Sequence, residues 1–265
     1  MKVVESRAEN VLLFVTRGKD DNDMFKENIS RRDFLKGVGI GIAALNLPTL
    51  SPITEAATKR SSSEFYVSKI DDTIFNRIKG KSYKDNCTLP LEDLRYLHLL
   101  HKDINGVTQE GEMICNVYIA APLIDIFQKL YANAYPIEKI RLVDEYDADD
   151  ERSMRDNNSS CFNFRFISHT TRISKHGLGL AVDINTLYNP YIKYVDGKRI
   201  LEPATAEKYL VRNKKFPYKI DKKSLPYRLF TEHGFEWGGN WSDRKDYQHF
   251  EVPTAIMEIL YPDNK

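Results

Sequence analysis

Two short segments carry side chains able to do chemistry together. The first runs Ser-Lys-His-Gly-Leu-Gly-Leu-Ala-Val-Asp-Ile-Asn from Ser174 to Asn185, and the second runs Asp-Tyr-Gln-His-Phe-Glu from Asp246 to Glu251. His176, Asp183 and His249 form a set of two imidazoles and one carboxylate. Catalytic zinc is commonly held by three such nitrogen and oxygen donors, with a fourth position left for water. Asp246 stands close enough in sequence to His249 to serve as a base beside such an ion.

The elements that must position these groups can be read from period. After the Gly-Leu-Gly turn, Leu180, Val182 and Ile184 alternate with Ala181, Asp183 and Asn185, which predicts a strand with Asp183 turned from the apolar side. Tyr247 to Val252 predicts a second strand, with His249 and Glu251 on one face and Gln248, Phe250 and Val252 on the other. Side-by-side placement of these strands in one sheet brings the donors together. Glu251 is then a candidate partner for His249.

The pattern S-x-H-x-x-G-x-A-x-D, followed further along by D-x-x-H-F-E, resembles the zinc D-alanyl-D-alanine carboxypeptidases and endopeptidases of the VanY type. Two further stretches are similar to that family: Asp149 to Arg165, ending F-N-F-R, and G-F-E-W-G-G-N-W from Gly234 to Trp241. Together they place the likeness over roughly residues 85 to 255. The resemblance implies an α+β domain, a small antiparallel sheet with helices packed on one side and zinc on the open face. It implies zinc ligation by His176, Asp183 and His249, proton transfer by Asp246, and peptidoglycan stem peptides as substrate. Terminal D-alanine removal is the preferred activity. L-alanyl-D-glutamate endopeptidase activity and a non-catalytic, zinc-containing wall-binding module are the alternatives.

Around this centre, a strand over Phe162–Ile167 is expected to turn Phe162, Phe164 and Phe166 inward and to offer Asn163 and Arg165 to the cleft. Arg165 suits an oxyanion or a substrate carboxylate, because its guanidinium is a fixed fork of donors. Its place in F-N-F-R departs from members whose functional arginine lies in a more distant S-G-Y-R motif. Ser174 is a candidate to hydrogen-bond substrate or to orient a ligand. Trp237 and Trp241 are candidates to wall the groove, with plain packing as the alternative. His98, His101, His169 and His233 are read as ordinary surface or core histidines.

Composition sets the limits. A chain of 265 residues, 42% hydrophobic and 29% charged, can bury one sizeable core. With 39 basic against 38 acidic residues there is no excess to attract nucleic acid. No apolar run reaches the length of a membrane span. The three cysteines, Cys87, Cys115 and Cys161, lack metal-site spacing and read as small buried hydrophobes, with one disulfide as the alternative.

Ser30-Arg31-Arg32-Asp33-Phe34-Leu35-Lys36, the apolar run Gly37 to Leu50 and Thr54-Glu55-Ala56-Ala57 resemble a twin-arginine export signal cleaved near Ala56. Met24 is a possible true start. The expected organisation is therefore a signal over 1–56, a linker and amino-terminal extension over 57–84, and the zinc peptidase domain over 85–265. The twin-arginine translocase and a periplasmic or envelope location follow from that address. After the signal, a helix is expected over Asp71–Ile78 and a hairpin from Leu94–His101 through Asn105-Gly106 to Glu112–Val117. Further helices are expected over Pro122–Ala132, over Glu202–Asn213, after Ser224 to Gly234, and over Thr254–Leu260. A strand is expected over Ile137–Val143, and a surface hairpin around Lys193–Arg199. The acidic run Asp144–Asp150 lacks the order of an EF-hand loop and reads as solvated, with its last two aspartates near the cleft.

Overall fold

Strand β2, Leu94–Lys102, is buried along almost its whole length and organises the sheet around it. In the computed structural model, which describes residues 65–167 and 170–264, it pairs antiparallel with β1, Tyr66–Lys69, and with β3, Thr108–Asn116. The expectations for the export signal, for Met24, for the flexible stretch up to Glu64 and for His169 lie outside the described residues. Residues 66–69, which fall in the stretch expected as linker, are thus a sheet strand. Tyr66 there stacks on His98 with ring centroids 5.0 Å apart.

The β2–β3 turn is closed by Asp103, whose Oδ1 accepts from the backbone N–H groups of Asn105 and Val107, each at 2.9 Å. Gly106 supplies the left-handed residue, φ +76°. β3 begins four residues ahead of expectation because Thr108–Glu110 are exposed and polar, so no hydrophobic alternation marks them. Helix α1, Asp72–Ile78, is capped by Asp71, whose carboxylate accepts from Ile74 N. Helix α2, Ala120–Ala132, buries Leu123, Ile126, Phe127 and Leu130 at helical spacing and packs on β2.

The remaining sheets are small. β4, Lys139–Ile140, and β5, Asn158–Ser159, form a two-stranded parallel ladder. β6, Ala181–Asp183, β11, His249–Glu251, and β9, Glu236–Trp237, form a second sheet in the order β6-β11-β9. The third is ordered β10-β7-β8, from β7, Tyr191–Val195, β8, Lys198–Glu202, and β10, Arg244–Asp246. Short helices α3, Asp150–Arg155, and α4, Leu225–Glu232, complete this unit, which spans residues 65–253 with Asn264. A second unit contains Thr254–Asp263, with helix α5 over Thr254–Leu260. The architecture is α+β, with small, mostly antiparallel sheets.

Four expectations need correction. Only Lys139–Ile140 of the stretch 137–143 is strand, and a 3-10 turn over Val143–Tyr146 follows. Residues 162–165 are not a ladder strand, because their amides go to three separate segments: Phe162 N to Ile114 O, Asn163 N to His176 O and Phe164 N to Ser82 O. Phe162 and Phe164 are buried as expected, but Phe166 is 41% exposed. The helix expected over 202–213 is replaced by the end of β8 and a 3-10 turn at Glu207–Leu210. Pro203 disfavours helix at Glu202, which instead ends β8 opposite Tyr191. Asp144 in the acidic run is buried, and its two oxygens accept from Ser82 N and Ser82 Oγ at 2.9 Å. The hairpin of β7 and β8, α2 and α4 lie where the pattern placed them. Ser224 stands at the N-cap position, but its hydroxyl donates to Asp221 O and makes no cap hydrogen bond.

Candidate metal centre

β6 and β11 run antiparallel with Asp183 directly opposite His249, so the two side chains share one face. The opposite face is apolar, with Val182 and Phe250 fully buried and the Phe250 ring stacked on Phe230 at 4.3 Å. His176 arrives from the turn before β6. Ser174 Oγ accepts from Gly177 N at 2.9 Å, and Lys175 O accepts from Leu180 N at 2.7 Å. Gly179 is required twice over in that turn, by φ +65° and because a Cβ would meet Asn116 N at 2.7 Å.

The donor atoms converge. His176 Nε2 lies 3.1 Å from His249 Nδ1 and 3.3 Å from Asp183 Oδ2, and His249 Nδ1 lies 3.0 Å from Asp183 Oδ1. Tetrahedral zinc with bonds near 2.0–2.1 Å sets its ligands about 3.3–3.4 Å apart, so the two nitrogens and the Asp183 carboxylate, whose two oxygens each face one histidine, stand close to the spacing that such an ion needs. The second nitrogens are already committed. His176 Nδ1 donates to Cys161 O at 2.7 Å, and His249 Nε2 faces Glu251 Oε2 at 2.9 Å. Each hydrogen bond leaves one nitrogen aimed at the shared point, the usual arrangement around metal-bound histidine.

Electrostatics match this geometry. Burial opposes charge on His249, yet Asp183 and Glu251 outweigh it and push its pKa up to about 10. Burial likewise raises Asp183, but the two histidines hold its carboxyl well below the usual range. A site so eager for positive charge among neutral and anionic donors fits a divalent cation.

Asp246 stands beside it on β10, across from Tyr191 of β7. Burial first, and the nearby Asp183 charge after it, push its carboxyl up to about 7 against the opposing pull of His249. Its Oδ1 is buried and has no hydrogen-bond partner among the described residues. Gly238 makes this approach possible: a Cβ there would meet Asp246 O at 2.7 Å, Asp246 Cβ at 2.8 Å and His249 Cβ at 3.3 Å. Glu202 lies across β7 from Asp246, opposite Tyr191, and so projects from the same face of that sheet.

The other candidates are distributed unevenly. Arg165 is partly exposed, and its Nη1 sits 2.9 Å from Asp150 Oδ2. Asn163 is buried, with Nδ2 donating to Asp150 Oδ1 and Ala148 O, while its Oδ1 has no partner among the described residues. Trp237 is only 4% exposed and gives its Nε1 hydrogen to Tyr247 O, so it offers no polar atom to a ligand and packs instead. Trp241 lies beside one of the donors. Its ring lies 5.3 Å from the His249 imidazole, under the Arg244 guanidinium at 4.3 Å. Lys175 escaped notice in the sequence; its Nζ holds Glu251 Oε1 at 2.8 Å. The available signal was its place directly before a ligand, coupled to a glutamate on the ligand face of a period-two strand.

Residues 168–252 match a family model described as D-alanyl-D-alanine carboxypeptidase. The matched segment contains all three donors, Asp246, Ser174, Trp237 and Trp241. It is shorter than the stretch over which the likeness was expected, and Asn163 and Arg165 lie outside it. No solved structure matches the chain. The match and the donor cluster together support a metal-dependent peptidase.

Proposed function

We propose that the protein is a zinc D,D-carboxypeptidase that removes terminal D-alanine from peptidoglycan stem peptides. The observation that carries the proposal is the convergence of His176 Nε2, His249 Nδ1 and an Asp183 oxygen beside a buried carboxyl, inside the carboxypeptidase-like segment. Bound there, zinc supplies Lewis acidity, which acidifies water and polarises a scissile carbonyl. The two-imidazole, one-carboxylate set favours zinc over the harder oxygen-seeking ions.

Asp246 takes the proton from the attacking water and delivers it to the leaving amine. In the metal-free chain burial raises this carboxyl to about 7, and a bound cation would draw it back down toward the ionised form that accepts the water proton. Arg165 is assigned to the substrate's terminal carboxylate, held in place through Asp150, which also orders Asn163. Ser174 shapes the turn that presents His176, and Trp241 walls the cleft beside His249.

Arg31-Arg32 and the apolar run after them support delivery by the twin-arginine translocase to the periplasm or envelope, where stem peptides lie. No helix of the described residues is long and apolar enough to cross a membrane. The test is mass spectrometry of muropeptides incubated with the chain, with zinc and then with chelator. Loss of one terminal alanine that stops on chelation is expected. Cleavage between L-alanine and D-glutamate would move the enzyme to the endopeptidases, and zinc binding without any cleavage would make it a wall-binding module.

A further inference from the structure

His176 and His249 are supported in different ways. The spare nitrogen of His176 is fixed by a backbone carbonyl, that of Cys161, which cannot swing away. The spare nitrogen of His249 is fixed by a side chain, Glu251, and a glutamate has rotamers to spend. Something must hold that carboxylate. Lys175 does so: its Nζ lies 2.8 Å from Glu251 Oε1, while Oε2 lies 2.9 Å from His249 Nε2. The lysine and glutamate side chains are only 12% and 13% exposed.

We propose that the Lys175–Glu251 ion pair is a positioning device that fixes which nitrogen of His249 faces the metal and ties the two ligand-bearing segments to each other. This rests on the reading that His176, Asp183 and His249 hold a metal ion. Three observations carry it. Nε2 faces Glu251, which lies outside the donor set and can only accept, whereas Nδ1 faces the other two donors, His176 and Asp183; with a cation between those donors, Nδ1 is the nitrogen that gives up its hydrogen and ligates while Nε2 keeps its own. Lys175 is anchored in the turn that presents His176, through its own carbonyl and Leu180 N, so the ion pair bridges from that turn to β11. The charges also balance: Lys175 cancels Glu251, and Asp183 remains the one anion among the donors. A glutamate buried there without the lysine would be an uncompensated charge against the ligand shell.

The test uses the full chain and zinc, with affinity measured by competition against a chromophoric chelator, and with cobalt(II) bound in zinc's place for its visible spectrum. Glu251→Gln is expected to weaken zinc about 10-fold or more, as loss of an outer partner of a metal-bound histidine does. Lys175→Met is expected to weaken it in the same direction and to shift the cobalt bands. Lys175→Arg should restore most of the affinity, and the double variant K175M/E251Q should be no worse than E251Q. Melting of each metal-free variant serves as the control for folding. Unchanged affinity and spectrum in K175M and E251Q, with only a lowered melting temperature, would overturn the inference by showing an ordinary structural ion pair. Failure of the wild-type chain to bind zinc at all would instead overturn the metal reading beneath it.

Discussion

Gly238→Ala is the sharpest perturbation of the centre that leaves every chemical group in place. The new Cβ would sit 2.7 Å from Asp246 O, where ordinary contact begins at 3.4 Å, so the 3-10 turn at Gly238–Asn240 and β10 must separate by about 0.7 Å. The contacts to Asp246 Cβ at 2.8 Å and His249 Cβ at 3.3 Å point the same way, pressing the base and one ligand outward. All three obstacles are backbone or Cβ atoms, which cannot rotate out of the way. Misplacement on the 1 Å scale costs on the order of 100-fold in rate, and overpacking costs about 1–3 kcal/mol of stability. The assay is kcat for release of D-alanine from a stem-peptide substrate at saturating zinc, alongside a thermal melt. Gly106→Ala is the matched control: it has open space, and its φ of +76° makes it lose stability at a site remote from the centre, so kcat should not move. A Gly238→Ala enzyme with wild-type kcat and zinc affinity would refute the claim that this glycine sets the distance between base and ligand.

Asp246→Asn should lower kcat by roughly 10²–10⁴, the usual worth of a positioned general base, while zinc affinity measured by chelator competition does not fall. In the metal-free protein, the raised pKa of His249 means that its proton favours the folded state; this contribution is complete below 6.5 and is lost as pH climbs through about 10. Zinc must displace that proton, so its affinity should rise about tenfold per pH unit between roughly 7 and 9, which titrations in buffers of different ionisation enthalpy will register as proton release. Burial pushes the Glu112 carboxyl up, but the Arg77 guanidinium and the Tyr96 hydroxyl that donate to it win and hold it below 4.5. Its contribution to stability is therefore present above 4.5 and lost as pH falls further, and Glu112→Gln should flatten that part of the acid melting curve.

What could be read without coordinates was whatever depends on local period. Asp183 and His249 declared themselves because a strand alternates and their neighbours Val182 and Phe250 are apolar; α2 did so through Leu123, Phe127 and Leu130. The misreadings share the opposite character. Residues 162–165 look like a strand, yet their partners come from residues 82, 114 and 176, and no periodicity records so scattered a set. Glu202–Asn213 has helix-forming residues, yet Glu202 is taken up by a strand pairing with Tyr191 that no local pattern names. Trp237 and Trp241 are chemically alike in the sequence, and only the neighbouring Tyr247 carbonyl decides which of them is packed away. Lys175 and Glu251 stand 76 positions apart, beyond the reach of any local pattern.

The two histidines are separated by 73 positions, and between them lie the β7–β8 hairpin, α4, β9 and β10. An ion that grips both is also a cross-link, closing a loop that the unfolded chain would otherwise leave open. On the chain-entropy scale used for disulfides, closing a loop of that length is worth about 4 kcal/mol, and unlike a disulfide this link opens to a chelator and closes again without any redox step. The same atoms proposed to prepare the cleft for hydrolysis would thereby act as a removable staple across a little more than a quarter of the chain. Protease resistance between Asp183 and His249 should therefore rise and fall with the metal, whether or not substrate is ever present.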